Sequence, residues 1–405
     1  MYLKLAWRNI WRNKRRTFIT LSSITFAVLF ACIMRSMQLG SYERMIDNAA
    51  RFYLGFVQVH QKGYWDDRTI DNSFIYSKQQ LKAIDQIEGV TSAVPRLESF
   101  ALASTGLKSK GVLVMGIEPA REHQLTLLND KIINGKPLKI NDEGALVAKG
   151  LAEYLKISVG DTLVMIGQGY HGASASGLFP VQGIIKFANP AQNDQLVYIS
   201  LNKAQWFYDA SNMLSSIALV VDNPNDVSEI VKATKSIFDS SQYEVMDYIE
   251  MMPELHQSIE LDNVSGKIML IVLYMVIGFG MLGTFMMMTN ERLYEFGIMM
   301  AVGMRRHKMQ SIMILEMLFM TLMGVLLGIL LSLPLLGYYH FHPIYFTGDA
   351  VDAIESFGVE AAYFFSLQAS IFYNQAWAIF IMAITFSIYP LWIIHKLKII
   401  SAMKQ

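Results

Sequence analysis

A chain of 405 residues with 34 basic and 34 acidic side chains carries no formal net charge, which excludes the basic excess of a nucleic-acid binder and the high net charge of a disordered segment. Apolar residues make up 53% and charged residues 17%, against about 25% charged in soluble domains, so part of the chain belongs in lipid. The single cysteine, Cys32, rules out an intramolecular disulfide and any zinc site needing two or more cysteines.

The first predicted element is a basic interfacial helix over 1–16, with Trp7, Ile10, Trp11 and Lys14 sharing one side and Arg8, Arg12, Arg15 and Arg16 among its charges. Residues 17–34 are uncharged and predict transmembrane helix one over 17–41. Leu29-Phe30-Ala31-Cys32 resembles a lipidation box in which Phe30 is an unusual fit, and no small-residue cleavage site follows Met34. A span with a small apolar Cys32 is the plainer expectation.

Residues 42–263 alternate strand patterns, turns and amphipathic helices, which predicts an α+β extracytoplasmic domain. Residues 55–60 alternate like a half-buried strand, 77–88 read as a helix, 90–94 lead into Pro95, and 111–117 form a fully buried strand candidate. That βαβ-type part takes in about 42–140 and 205–263. Four short strand patterns between about 141 and 204 predict an inserted β-rich part. Residues 172–177 lack the Gly-x-Ser-x-Gly spacing of a nucleophile elbow and read as a loop.

Three further transmembrane helices are predicted over 264–290, 309–337 and 371–395, leaving links at 291–308 and 338–370 and a tail at 396–405. The fold class is an α-helical membrane protein with four spans and a large α+β outer domain. Basic residues crowd the first 16 residues, the 291–308 link and the tail, whereas 337–370 has no Lys or Arg. The positive-inside rule then puts both termini in the cytoplasm. Glu316, an intramembrane carboxylate, is expected to pair with a basic residue rather than to serve a proton path. Gly324 and Gly328, with Gly278, Gly280 and Gly283, either permit close helix approach or face lipid. No catalytic, cofactor-binding or metal-binding residue is expected: there is no Gly-x-x-x-x-Gly-Lys-Ser/Thr loop and no His-Glu-x-x-His. His340 and His342 read as residues of a solvated loop.

The link reads Glu291-Arg292-Leu293-Tyr294-Glu295-Phe296-Gly297-Ile298, then Ala301-Val302-Gly303 and Arg305-Arg306, with Glu316 in the next span. Glu291 and Glu295 are four apart, as on one helical face, and the glycines permit turns or close approach. This stretch resembles the signature of the FtsX-like, MacB-type permeases of type VII ABC transporters. The basic start, the closing Ser387-Ile388-Tyr389-Pro390 and the one-plus-three span plan resemble that family as well. The resemblance implies that Glu291, Arg292, Glu295, Phe296, Gly297, Ala301, Val302, Gly303, Arg305 and Arg306 couple to a separate cytoplasmic ATPase dimer, which binds ATP and magnesium. It further implies a second permease, self or paralogue, contact with membrane lipids, and an inner-membrane location with a periplasmic core domain. The leading expectation for cargo, from resemblance to the LolC/LolE branch, is lipoprotein. The alternatives are tripartite efflux or peptide export, and activation of cell-wall hydrolases.

Overall fold

The computed structural model describes residues 2–12, 14–50, 54–106, 108–187, 190–347, 351 and 361–397. They form a membrane unit (Met1–Arg44, Ser258–Tyr345 and Ala362–Gln405) and an outer unit (Met45–Gln257 and Phe346–Ala361).

The membrane unit opens with α1 (Tyr2–Arg12) and α2 (Lys14–Ala49). Within the stretch 1–16 expected as an interfacial helix, Lys14, Arg15 and Arg16 belong to α2, which runs on into the span. The Thr17 hydroxyl donates at 2.5 Å to the Ile10 carbonyl. α2 outlasts the apolar run that ends the span expected at 41, because 41–49 holds no proline or glycine to stop a helix.

The outer unit contains, in order, β1 (Val57–Gln61), β2 (Phe74–Ile75), α3 (Lys78–Asp85), β3 (Val90–Ser104), β4 (Ser109–Ile117), α4 (Pro119–Thr126), β5 (Ile132–Gly135), β6 (Ala145–Ala148), α5 (Lys149–Leu155), β7 (Thr162–Gln168), β8 (Ser174–Ile185), α6 (Pro190–Asn193), β9 (Leu196–Ser200), α7 (Leu201–Phe207), β10 (Met213–Leu214), β11 (Ser216–Val221), α8 (Val227–Lys235), β12 (Tyr243–Asp247) and α9 (Tyr248–Met251). Ten described strands share one sheet in the order β12-β1-β11-β3-β4-β9-β6-β8-β5, with β7 bridging β3 and β8. β1 and β3 both run antiparallel to the β11 between them, and β11 and β12 both run antiparallel to β1. Since α3 links β1 to β3 and α8 links β11 to β12, these are two interlocked split βαβ units.

Three expectations need correction here. The β-rich part over 141–204 is not separate, because β9 pairs in parallel with β4 and β7 pairs with β3. β3 runs on past Pro95, since the β4 ladder begins only at Arg96 and Pro95 falls outside it. β1 is buried on both faces rather than one, with Tyr64 and Trp65 folded over the His60 ring. In addition, β8 starts within the 172–177 run, where β7 supplies its partner up to Ser174. The exposed start of β4 leaves only its later half buried.

α10 (Pro253–Asn290), α11 (Leu293–Ala301), α12 (Arg306–Phe341) and α13 (Ala369–Lys396) continue the chain. α2, α10, α12 and α13 are each long and apolar enough to cross a membrane, and α10, α12 and α13 overrun the predicted spans. α10 begins well before 264, with Pro253 at its first position, where a missing N–H removes no helical bond. The bundle core is rich in methionine: Met281, Met309, Met313, Met317 and Met320 are fully buried. The glycines divide. A Cβ on Gly324 would lie 2.6 Å from Ile24, and one on Gly328 2.7 Å from Val28, so both admit α2 against α12. Gly278 packs on Phe386 of α13, whereas a Cβ on Gly283 would meet nothing within 4 Å.

Candidate functional site: the coupling segment and its ion-pair anchor

α10 ends at Asn290, and the chain bends through Glu291 and Arg292 before α11 begins. Glu291 and Glu295 therefore do not share a helix, contrary to their four-residue spacing. Arg292 turns inward, 8% exposed, and pairs with Glu316 of α12, which is 1% exposed. The other Glu316 oxygen accepts from Asn9 Nδ2 at 2.6 Å, while Arg292 Nη2 donates at 3.3 Å to the Asn9 carbonyl. Both carboxylate oxygens are thus occupied, as a buried carboxylate requires. One turn outward, Arg12 Nη2 donates at 2.5 Å to Glu295 Oε1, with both side chains about half exposed. Asn9, Arg12, Arg292, Glu295 and Glu316 line a polar cavity of ≈ 240 Å³ between α1, α11 and α12.

α11 is anchored by burial of Phe296, Gly297 and Met300. Its end is fixed by two bonds, from Gly303 N–H to the Met300 carbonyl (3.0 Å) and from Met304 N–H to the Met299 carbonyl (2.9 Å). That is a Schellman cap, and Gly303 supplies its left-handed position at φ +98°. The cap turns the chain sharply and leaves Val302 85% exposed. Tyr294, Ile298, Ala301 and Val302 form an exposed stripe at helical spacing.

This geometry sorts the predicted coupling residues. Arg292, Phe296 and Gly297 are buried within the chain and cannot touch a partner; Gly297 lies inside the helix rather than at a turn. Arg306 donates to the His395 and Leu397 carbonyls, tying the start of α12 to the end of α13. Glu291, Ala301, Val302, Gly303 and Arg305 are exposed. On α1, Trp7 and Trp11 stand edge to face at 6.0 Å and are nearly half exposed, Arg8 and Arg12 are exposed on the same surface, and Ile10 turns inward. Arg15 is exposed on α2. Nδ1 of His340 lies 2.6 Å from the Phe365 carbonyl, and Nδ1 of His342 lies 3.1 Å from the Tyr338 carbonyl.

Two family models match the chain: the MacB-like periplasmic core domain over residues 17–237 and the FtsX-like permease C-terminal over 267–399. The chain belongs to the FtsX/MacB-type ABC permease family. Among similar proteins, the lipoprotein-releasing system transmembrane protein LolC of Neisseria meningitidis is 21% identical over 342 residues, which is 79% of each chain. The pyoverdine export ATP-binding/permease protein PvdT of Pseudomonas syringae is 22% identical over 346 residues, covering 82% of this chain and 51% of PvdT. The permease thus spans about half the length of PvdT. The periplasmic region of MacB from Actinobacillus actinomycetemcomitans aligns with a TM-score of 0.37 and 15% identity, over 50% of this chain and 92% of that one. The permease is a multi-pass membrane protein with an extracytoplasmic domain, and an ABC permease works with a partner ATPase.

Sequence reasoning missed Asn9. Its signal was a polar residue beside Ile10 on the buried side of an amphipathic helix. It also missed a clamp between α2 and α10, where Arg35 donates to Asn263 at 2.8 Å and Tyr42 donates to Asp262 at 2.5 Å. In the outer unit, the Arg96–Glu122 pair is fully buried, with two bonds of 2.6 and 2.8 Å. Neither residue carries a local sequence mark.

Proposed function

We propose that this permease converts ATP binding and hydrolysis by a dimer of cytoplasmic ABC ATPases into motion of its outer domain. The observation that carries this reading is the capped turn at 301–305, which holds an apolar tip, Val302, clear of the chain beside exposed Arg305. A small apolar knob on a rigid turn suits a groove on a partner, and flanking charge sets its register. In this scheme both termini are cytoplasmic, ATP and magnesium sit on the ATPases, and a second permease, self or paralogue, completes the pair in the inner membrane.

The cargo favoured is lipoprotein. LolC and LolE are named as lipoprotein-releasing proteins, and a lipidated cargo needs apolar surface outside the membrane. The outer unit offers one on a single sheet face: Phe100 and Leu102 of β3, Ile166 of β7 and Leu178 of β8 are all exposed. Leu102 pairs directly with Ile166, and Leu178 with Val164, so the face is contiguous. Export of a soluble compound is the second reading, supported by the match to PvdT.

The test is ATP-dependent release of an acylated lipoprotein from proteoliposomes that hold permease and ATPase. Release is expected, and Leu102→Glu with Ile166→Glu should reduce it more than tenfold while the ATPase stays bound. Release unchanged by that pair of substitutions would remove the sheet face from the path. Absence of release, with transport of a soluble compound, would select the export reading.

A further inference from the structure

The exposed surface of α1 carries two parallel stripes. Lys4, Arg8 and Arg12 form one and Leu3, Trp7 and Trp11 the other, each at four-residue spacing, and all six are exposed. No carboxylate occurs before Glu43. The helix is held at a definite depth. Asn9 bonds Glu316, and Trp7 meets Phe319 edge to face at 6.1 Å. Glu316 lies ten residues into α12, roughly 15 Å from its start at ~1.5 Å per residue. The 25 residues beyond it reach roughly 37 Å, enough to cross ~30 Å of hydrocarbon. α1 therefore lies at the boundary where lipid headgroups stand. A basic stripe beside an aromatic one, at that depth and on a helix with no carboxylate of its own, is complementary to phosphate above acyl chains.

We propose that this face of α1 is a binding site for anionic phospholipid headgroups, and that Arg12 is shared between the lipid phosphate and Glu295. Arg12 is the member of the basic stripe that also reaches α11, through Glu295. A phosphate drawing on Arg12 loosens its hold on Glu295, so the charge of the leaflet acts on the coupling segment. This goes beyond ATPase docking and its test needs no ATPase, so the two can fail separately.

The full-length permease is placed in nanodiscs of phosphatidylcholine alone or mixed with phosphatidylglycerol. Two quantities are read: the lipid retained on extraction, by native mass spectrometry, and amide exchange across α11. Phosphatidylglycerol is expected to be retained over phosphatidylcholine, with a loss of about fivefold for each basic residue removed in Lys4→Gln and Arg8→Gln. Both sites are exposed, so the fold tolerates the change. Exchange across α11 should rise with phosphatidylglycerol in the wild type and be high in either lipid in Arg12→Gln. Added inorganic phosphate should reproduce neither effect, which identifies the headgroup as the source. Equal retention of the two lipids would overturn the proposal, as would α11 exchange that ignores lipid charge. Inorganic phosphate acting equally well would overturn the lipid assignment.

Discussion

Arg292 and Glu316 leave water together, and each then depends on the other. Removing one partner strands a buried charge, at a cost of about 3–5 kcal/mol. Glu316→Gln is therefore expected to lower the melting temperature of the purified permease sharply. Replacing both residues by methionine should recover most of the loss in a double-mutant cycle, because the surrounding core is already methionine-rich. Equal losses in the single and double variants would show that the pair is not the source of the effect. His60 gives a second test. Burial, with the Arg68 charge nearby, pushes its imidazole down to about 4, from an ordinary value of about 6.5. The unfolded chain then takes up a proton that the folded chain refuses. Stability from this site is full above about pH 6.5 and falls as pH drops toward 4, by up to about 3 kcal/mol. Thermal unfolding followed through tryptophan fluorescence should show that slope, and His60→Phe should flatten it. A slope unchanged in His60→Phe would assign the acid sensitivity elsewhere. The Arg292–Glu316 pair was only half legible in sequence: Glu316 announced that it needed a partner, but Arg292 read as a surface charge because nothing local shows which way a side chain turns.

At the scale of elements, the turn after α11 and the α2–α12 contact depend on glycine for different reasons. Gly303 has open space around a Cβ, so only its positive φ resists substitution. Gly303→Val should weaken the cap by about 1–2 kcal/mol and lower ATPase retention, while Gly303→Asn, which tolerates the left-handed region, should retain more. Indistinguishable variants would mean that the backbone of the cap is not what the partner needs. Gly324 is the reverse case, with ordinary φ and no space. Gly324→Leu should push Ile24 and separate α2 from α12, and loss of a disulfide engineered between those helices would report it. The elements themselves were largely legible, since long apolar runs, the Ser77 capping box at the start of α3 and period-two strands carry local signals. Their ends were not. Hydropathy marks where lipid would be, whereas helices stop where caps and prolines stop them, so α2 and α10 both overran. Partners across the sheet were also hidden, because strand pairing between β4 and β9 joins residues some 80 positions apart and leaves no periodic trace.

For the whole molecule, a four-span plan and the link motif pointed to the family before any contact was known, because charge asymmetry and hydropathy act along the chain. What those signals did not divide was the link itself, into residues that anchor it and residues that face outward. The structure makes that division: Arg292, Phe296 and Arg306 hold the segment, and Val302 and Arg305 stand exposed on it. Purification of the native complex in mild detergent, with mass spectrometry of everything retained, tests this most directly when wild type is compared with Val302→Asp. An ABC ATPase should accompany the wild-type permease and be lost from Val302→Asp, with membrane insertion of both unchanged. An ATPase retained equally by both, or by neither, would contradict docking through the 301–305 turn.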